Sequence, residues 1–97
     1  MIIHQETERA SKVLTATGAV NSLATTVSSI TLDGGTAATG ATVVLDDSTD
    51  GSGTDKWALR APQYGSVSIT FVKPIPFADG CYATITGTSP QVSIAYT

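Results

Sequence analysis

A chain of 97 residues has room for one hydrophobic core, and its single cysteine excludes an internal disulfide framework. Eight acids against five bases leave a net charge of −3, a poor footprint for nucleic acid or an anionic membrane, both of which need clustered Lys and Arg. Sixteen Thr, ten Ser and twelve Ala against two Phe and one Trp predict a thin core carried on pleated sheets, where Thr, Val and Ile keep the rotamer freedom they lose in a helix.

Residues 1–12 differ from the rest of the chain. They hold both glutamates, Glu6 and Glu8, the only histidine, His4, and the pair Arg9 and Lys12, with no alternation of apolar and polar positions. Glu8 and Lys12 stand four apart and allow one helical turn, which is marginal in water when isolated. The segment reads as an N-terminal arm, residues 1–12, ahead of a β-domain spanning residues 13–97. Its opening, Met1-Ile2-Ile3-His4-Gln5-Glu6, is too short and too soon charged for a secretory leader. No apolar run approaches the ~18 residues of a membrane helix, so a soluble domain is expected.

From Val13 onward short alternating runs recur between Gly and Asp signals. Val13–Thr17 is predicted as a strand closed by Gly18. Val27–Leu32 is a second, stopped by Asp33-Gly34-Gly35. Ala41–Asp46 places Ala41, Val43 and Leu45 on one face, and Asp47–Asp55 is a polar loop. Trp57 and Leu59 mark a short strand before Ala61-Pro62. Val67, Ile69 and Phe71 alternate with Ser66, Ser68 and Thr70, the pattern of a half-buried strand. Spacings of this kind predict an all-β fold, a small antiparallel β-sandwich of jelly-roll type with an extended N-terminal arm.

Two stretches permit sharper geometry. Tyr82–Thr86 and Gln91–Tyr96 are predicted to form a hairpin around Gly87-Thr88-Ser89-Pro90, with Thr86 opposite Gln91. Ile85 would then face Val92, Ala83 face Ile94 and Cys81 face Tyr96, all on one side of the ribbon. In Lys73-Pro74-Ile75-Pro76-Phe77, prolines two apart lose their N–H groups on the same edge. Residues 74–77 are therefore expected at a sheet margin or a corner, with Ile75 and Phe77 turned inward.

Motifs for chemistry are sparse. A nucleophile needs a base held against it, and the only imidazole, His4, lies in the arm. Cys81 falls on the apolar face of the predicted hairpin, where a thiol behaves as a small hydrophobe. Asp46-Asp47-Ser48-Thr49-Asp50-Gly51 echoes the opening of a calcium loop, but Trp57 occupies the twelfth position, where a bidentate Glu is needed. Acids that cap turns account for the cluster. Gly51-Ser52-Gly53 lacks the context of a phosphate loop, and the aromatics do not interleave with bases. The expectation is a non-enzymatic chain with no cofactor and no metal.

Several segments together resemble small virion proteins of tailed bacteriophages. They are Ile30-Thr31-Leu32-Asp33-Gly34-Gly35, the Ala/Thr-rich run ending Val43-Val44-Leu45-Asp46, the Ser66–Phe71 strand leading into Pro74-Ile75-Pro76-Phe77, and Gly80–Gly87 with Val92–Tyr96. The resemblance implies a virion accessory component that decorates or cements the capsid, or else a head-fibre or tail adaptor. A receptor- or carbohydrate-binding module is the competing class. Under the first reading the partner is the major capsid protein or another virion protein, with no nucleic acid and no membrane. The chain would be a homo-oligomer, a trimer being preferred, made in the host cytoplasm and carried on the capsid surface. The contact residues would be Ile2 and Ile3 in the arm, Trp57 beside the acidic loop, and Pro74 and Pro76 at the margin.

Overall fold

The computed structural model describes residues 10–97. They form eight strands and no helix: β1 (Ala10–Leu14), β2 (Gly18–Asn21), β3 (Thr25–Asp33), β4 (Ala41–Asp47), β5 (Thr54–Ala61), β6 (Ser66–Phe77), β7 (Cys81–Thr86) and β8 (Gln91–Tyr96). Two four-stranded antiparallel sheets result, in the orders β1-β8-β3-β6 and β2-β7-β4-β5. Among the described strands only β4 and β5 are consecutive and adjacent in one sheet. Every other connection passes from one sheet to the other.

Alternation along each strand builds the shared interior. Val27, Ile30 and Leu32 of β3, Val92 and Ile94 of β8, and Phe77 at the end of β6 come from the first sheet. Val43 and Leu45 of β4 and Cys81 and Ala83 of β7 come from the second, and all are buried. Most of these side chains are small or β-branched, so the layer between the sheets is thin and its few large members matter disproportionately. The outer faces carry the hydroxyls: Thr31 of β3 is bonded to Ser68 of β6 at 2.8 Å, and Thr42 of β4 to Thr86 of β7.

Four expectations need correction. The segments 82–86 and 91–96 are both strands, but they are not a hairpin. β7 pairs with β4, setting Ile85 opposite Val43 and Ala83 opposite Leu45. β8 pairs with β3, setting Val92 opposite Leu32 and Ile94 opposite Ile30. The apolar residues of both strands do point to one interior, which they reach from opposite sides. Gly87–Pro90, with Gly87 at φ 127° and Ser89 at φ 54°, carries the chain across. Four extended residues span at most about 13 Å, enough for the roughly 10 Å between packed sheets.

The second correction concerns Gly18, which opens β2 instead of closing a strand; the first strand ends at Leu14. The third concerns the arm boundary. Ala10, Ser11 and Lys12 stand in β1, paired with Tyr96, Ala95 and Ile94 of β8, so the β-domain begins earlier than position 13. The acidic loop is also shorter than predicted, since β4 runs to Asp47 and β5 starts at Thr54.

Candidate functional site

The predicted contact residues divide into two groups. Ile2 and Ile3 lie outside the described residues. Trp57, Pro74 and Pro76 fall on one margin of the molecule, where the edge strands β5 and β6 of the two sheets meet.

The backbone of that margin follows from its sequence. Thr26 of β3 exchanges both its main-chain hydrogen bonds with Thr97, at 2.9 Å each, so its polar groups face away from β6. Pro76, opposite Thr26, therefore sits at a position without ladder bonds, and its nitrogen and carbonyl face off the sheet. The Lys56 ammonium donates to that carbonyl at 2.7 Å. Pro74, two residues earlier on the same strand, is exposed and stands in a stretch of β6 without partner residues on β3. Between Thr70, opposite Ser29, and Ile75, opposite Val27, the register slips and β6 bulges away from its neighbour. Bulge and prolines together deny a further strand a regular ladder on this edge. Ile75 is half-buried and Phe77 fully buried, as the sequence predicts.

Side chains then join the two sheets. The Trp57 and Phe71 rings meet edge to face, centroids 4.8 Å apart at 86°. Lys56 lies 5.6 Å above the Phe77 ring, a cation–π distance. Trp57 faces inward opposite Leu45 and packs on the core, half-buried, while its Nε1–H is buried without a hydrogen-bond partner. A shallow recess of ≈ 300 Å³ opens beside these residues, lined by Ala24, Thr26, Lys56, Pro76 and Ala78.

The acids of the β4–β5 loop serve its turns. Asp46, only 3% exposed, accepts a 2.8 Å bond from the Ser48 hydroxyl, which itself accepts from Gly51 N–H. Asp50 accepts from the Ser52 amide and hydroxyl, and these bonds hold its carboxyl below the ordinary value. Asp47 accepts from Asp79 N–H at 2.7 Å. Among the described residues no three His, Cys, Asp or Glu side chains gather closely enough to hold a metal ion.

Cys81 is fully buried, and burial, helped by the charges of Asp46 and Asp47, pushes its thiol up from 9.0 to about 12. The folded chain thus keeps a proton that the unfolded chain loses above pH 9.0, so stability is intact below that value and falls toward 12. Over the first pH unit of that interval the loss is expected to be about 1 kcal/mol by urea unfolding. Cys81→Ala should remove this slope, and a slope that survives the substitution would assign it to another group.

The sequence gives little warning of Tyr64. It occupies the third position of a turn closed by a bond from Gly65 N–H to the Pro62 carbonyl at 3.0 Å. Its φ is 59°, a left-handed conformation normally left to Gly or Asn at that position. The side chain is 76% exposed. The available signal is the Pro-x-Tyr-Gly spacing, which seats an aromatic in a tight turn between two strands.

No family model matches the chain, and neither a curated protein nor a solved structure matches it.

Proposed function

We propose that this chain is a non-enzymatic virion structural protein, a jelly roll that decorates or cements a tailed-phage capsid. The observation that supports the reading most is strand order: β1-β8-β3-β6 facing β2-β7-β4-β5. Eight strands in two antiparallel sheets, with nearly every connection crossing between them, suit the double Greek key found in viral capsid and lectin domains. Fold alone does not fix function, so the contact surfaces carry the rest. The β5–β6 margin, with Pro74 and Pro76 exposed and Trp57 behind it, is stiff and blocked against strand addition, which favours docking by side chains. The segment ahead of β1, including Ile2 and Ile3, supplies the second contact. A thin-cored domain gains stability from any partner that binds only its folded form, and a trimer on a lattice multiplies modest contacts into firm attachment.

The test is truncation before residue 10, which leaves β1 whole. The shortened chain is expected to keep its strand-rich circular dichroism and to stop co-sedimenting with empty capsids that the full chain saturates. Equal saturation by both forms would remove the N-terminal segment from the proposal.

A further inference from the structure

We propose that the end of the molecule built by Gly34–Gly40, Pro62–Gly65 and Gly87–Pro90 binds a neutral carbohydrate, with the Tyr64 ring as its stacking platform. The three loops are fused by main-chain bonds: Gly34 N–H to Gly65 O at 2.8 Å, Thr36 N–H to Thr88 O at 2.9 Å, and Tyr64 N–H to Gly35 O at 2.9 Å. The Gln63 amide adds a bond to the Thr36 carbonyl at 2.8 Å. Little is left to order when a ligand arrives, which favours weak ligands most.

Tyr64 is held on this base in a conformation that L-residues with bulky side chains avoid. Its ring stands largely in solvent, so packing on the core does not account for a tyrosine there. An aromatic displayed at the cost of local strain is the arrangement of a contact residue.

Composition selects the ligand. Residues 34–40, 62–65 and 87–90 contain no Asp, Glu, Lys, Arg or His, although the chain has thirteen acids and bases elsewhere. What they offer instead is the hydroxyls of Thr39, Thr88 and Ser89 and the Gln63 side-chain carbonyl, while the Gln63 amide nitrogen and the Thr36 hydroxyl already donate to the Thr36 and Thr88 carbonyls. A pyranose has a C–H face that packs on an aromatic ring and a rim of hydroxyls that both donate and accept, as these groups do. An anionic ligand would find no counter-ion, because the charged side chain bonded to these loops is Asp33, whose carboxylate accepts from Gly35 N–H. A protein interface of ordinary size covers about 800 Å² per partner around an apolar centre. Tyr64 is the one exposed large apolar side chain of these loops, whereas Leu23 lies at the far end, in the β2–β3 connection, and Val13 and Val72 lie on edge strands.

This inference does not rest on capsid attachment, whose predicted contacts Pro76 and Trp57 lie away from these loops. The experiment is saturation-transfer NMR on the full chain with neutral oligomers of glucose, galactose and N-acetylglucosamine, alongside sialylated and sulfated glycans. At least one neutral oligomer is expected to show transfer with a Kd of about 1 mM or tighter. Tyr64→Ala should weaken it at least about tenfold, Tyr64→Trp should retain it, and Leu23→Ala should leave it unchanged. The proposal is overturned by absence of transfer from every neutral oligomer, by preference for the charged glycans, or by binding indifferent to Tyr64→Ala. Capture through Tyr64 of an unglycosylated protein, with no sugar bound, would overturn it in favour of a protein interface.

Discussion

Phe77→Ala is expected to lower the free energy of unfolding by about 3–5 kcal/mol, the largest loss expected from truncating a fully buried side chain among the described residues. Phe77 is the largest fully buried residue, 1% exposed at the end of β6 opposite Thr25. Its buried companions are Val, Ala, Ile and Leu side chains and Cys81, fixed in two sheets. Such neighbours have little reach, so the cavity stays open and the lost packing is not recovered. Removal of the ring also takes away the face beneath the Lys56 ammonium. A domain of this size has a total stability of about 5–15 kcal/mol, so the variant should be close to its threshold at ambient temperature. Urea unfolding is the measurement, with midpoint lowered and slope unchanged if the folded and unfolded states keep their extents. Phe77→Leu, which retains most of the volume, should lose only about 1–2 kcal/mol. A loss below about 1 kcal/mol for Phe77→Ala would mean that the ring is not part of the core.

That Phe77 would be inward was legible from the sequence, as was the margin it closes. Prolines at positions 74 and 76 remove donors from one side of an extended segment, and only a sheet edge tolerates this. The structure adds that Pro76 lies opposite a Thr26 whose bonds are already taken by Thr97. The existence of every described strand except β2 was legible for the same kind of reason, since alternation depends on neighbours two residues apart. Sheet membership was not. Val92 and Ile94 face the same interior as Ala83 and Ile85, and this agreement holds whether β7 and β8 are neighbours or stand across the core from each other. Period-2 patterning reports which way a side chain points and is silent on which strand lies beside it. Gly87-Thr88-Ser89-Pro90 is long enough for either connection. The β4–β5 pair, the one hairpin among the described strands, was obscured by its bulge at Leu45–Asp46, where alternation breaks.

The loop end was the least legible part, because its geometry depends on contacts between segments far apart in the chain. Asp33-Gly34-Gly35 reads as a turn, but nothing local says that Gly35 meets Thr88 across 53 positions. Tyr64 likewise reads as one aromatic among six until its backbone conformation is known.

Gly35→Ala tests that geometry directly and is expected to cost about 3 kcal/mol or more. Gly35 has φ 66°, where an alanine loses about 1–2 kcal/mol to its own backbone. A Cβ there would also lie 2.1 Å from the Thr88 carbonyl oxygen and 2.9 Å from Ser89, both main-chain atoms that cannot swing aside. Relief requires separating the Gly34–Gly40 loop from the Gly87–Pro90 loop, which breaks the bond from Thr36 N–H to Thr88 O. The Gly35 amide is itself held by Asp33 Oδ1 at 3.1 Å, and its carbonyl receives the Tyr64 amide, so the displacement spreads to the turn that displays the ring. Gly18→Ala provides the internal comparison. Nothing lies closer than 3.9 Å to a Cβ at Gly18, and alanine there should be neutral or stabilising by up to about 1 kcal/mol. Thermal or urea unfolding of the two variants separates crowding at one glycine from the general effect of replacing glycine. Similar stabilities for Gly35→Ala and Gly18→Ala would show that the three loops are not locked together, and the rigid base under Tyr64 would go with them.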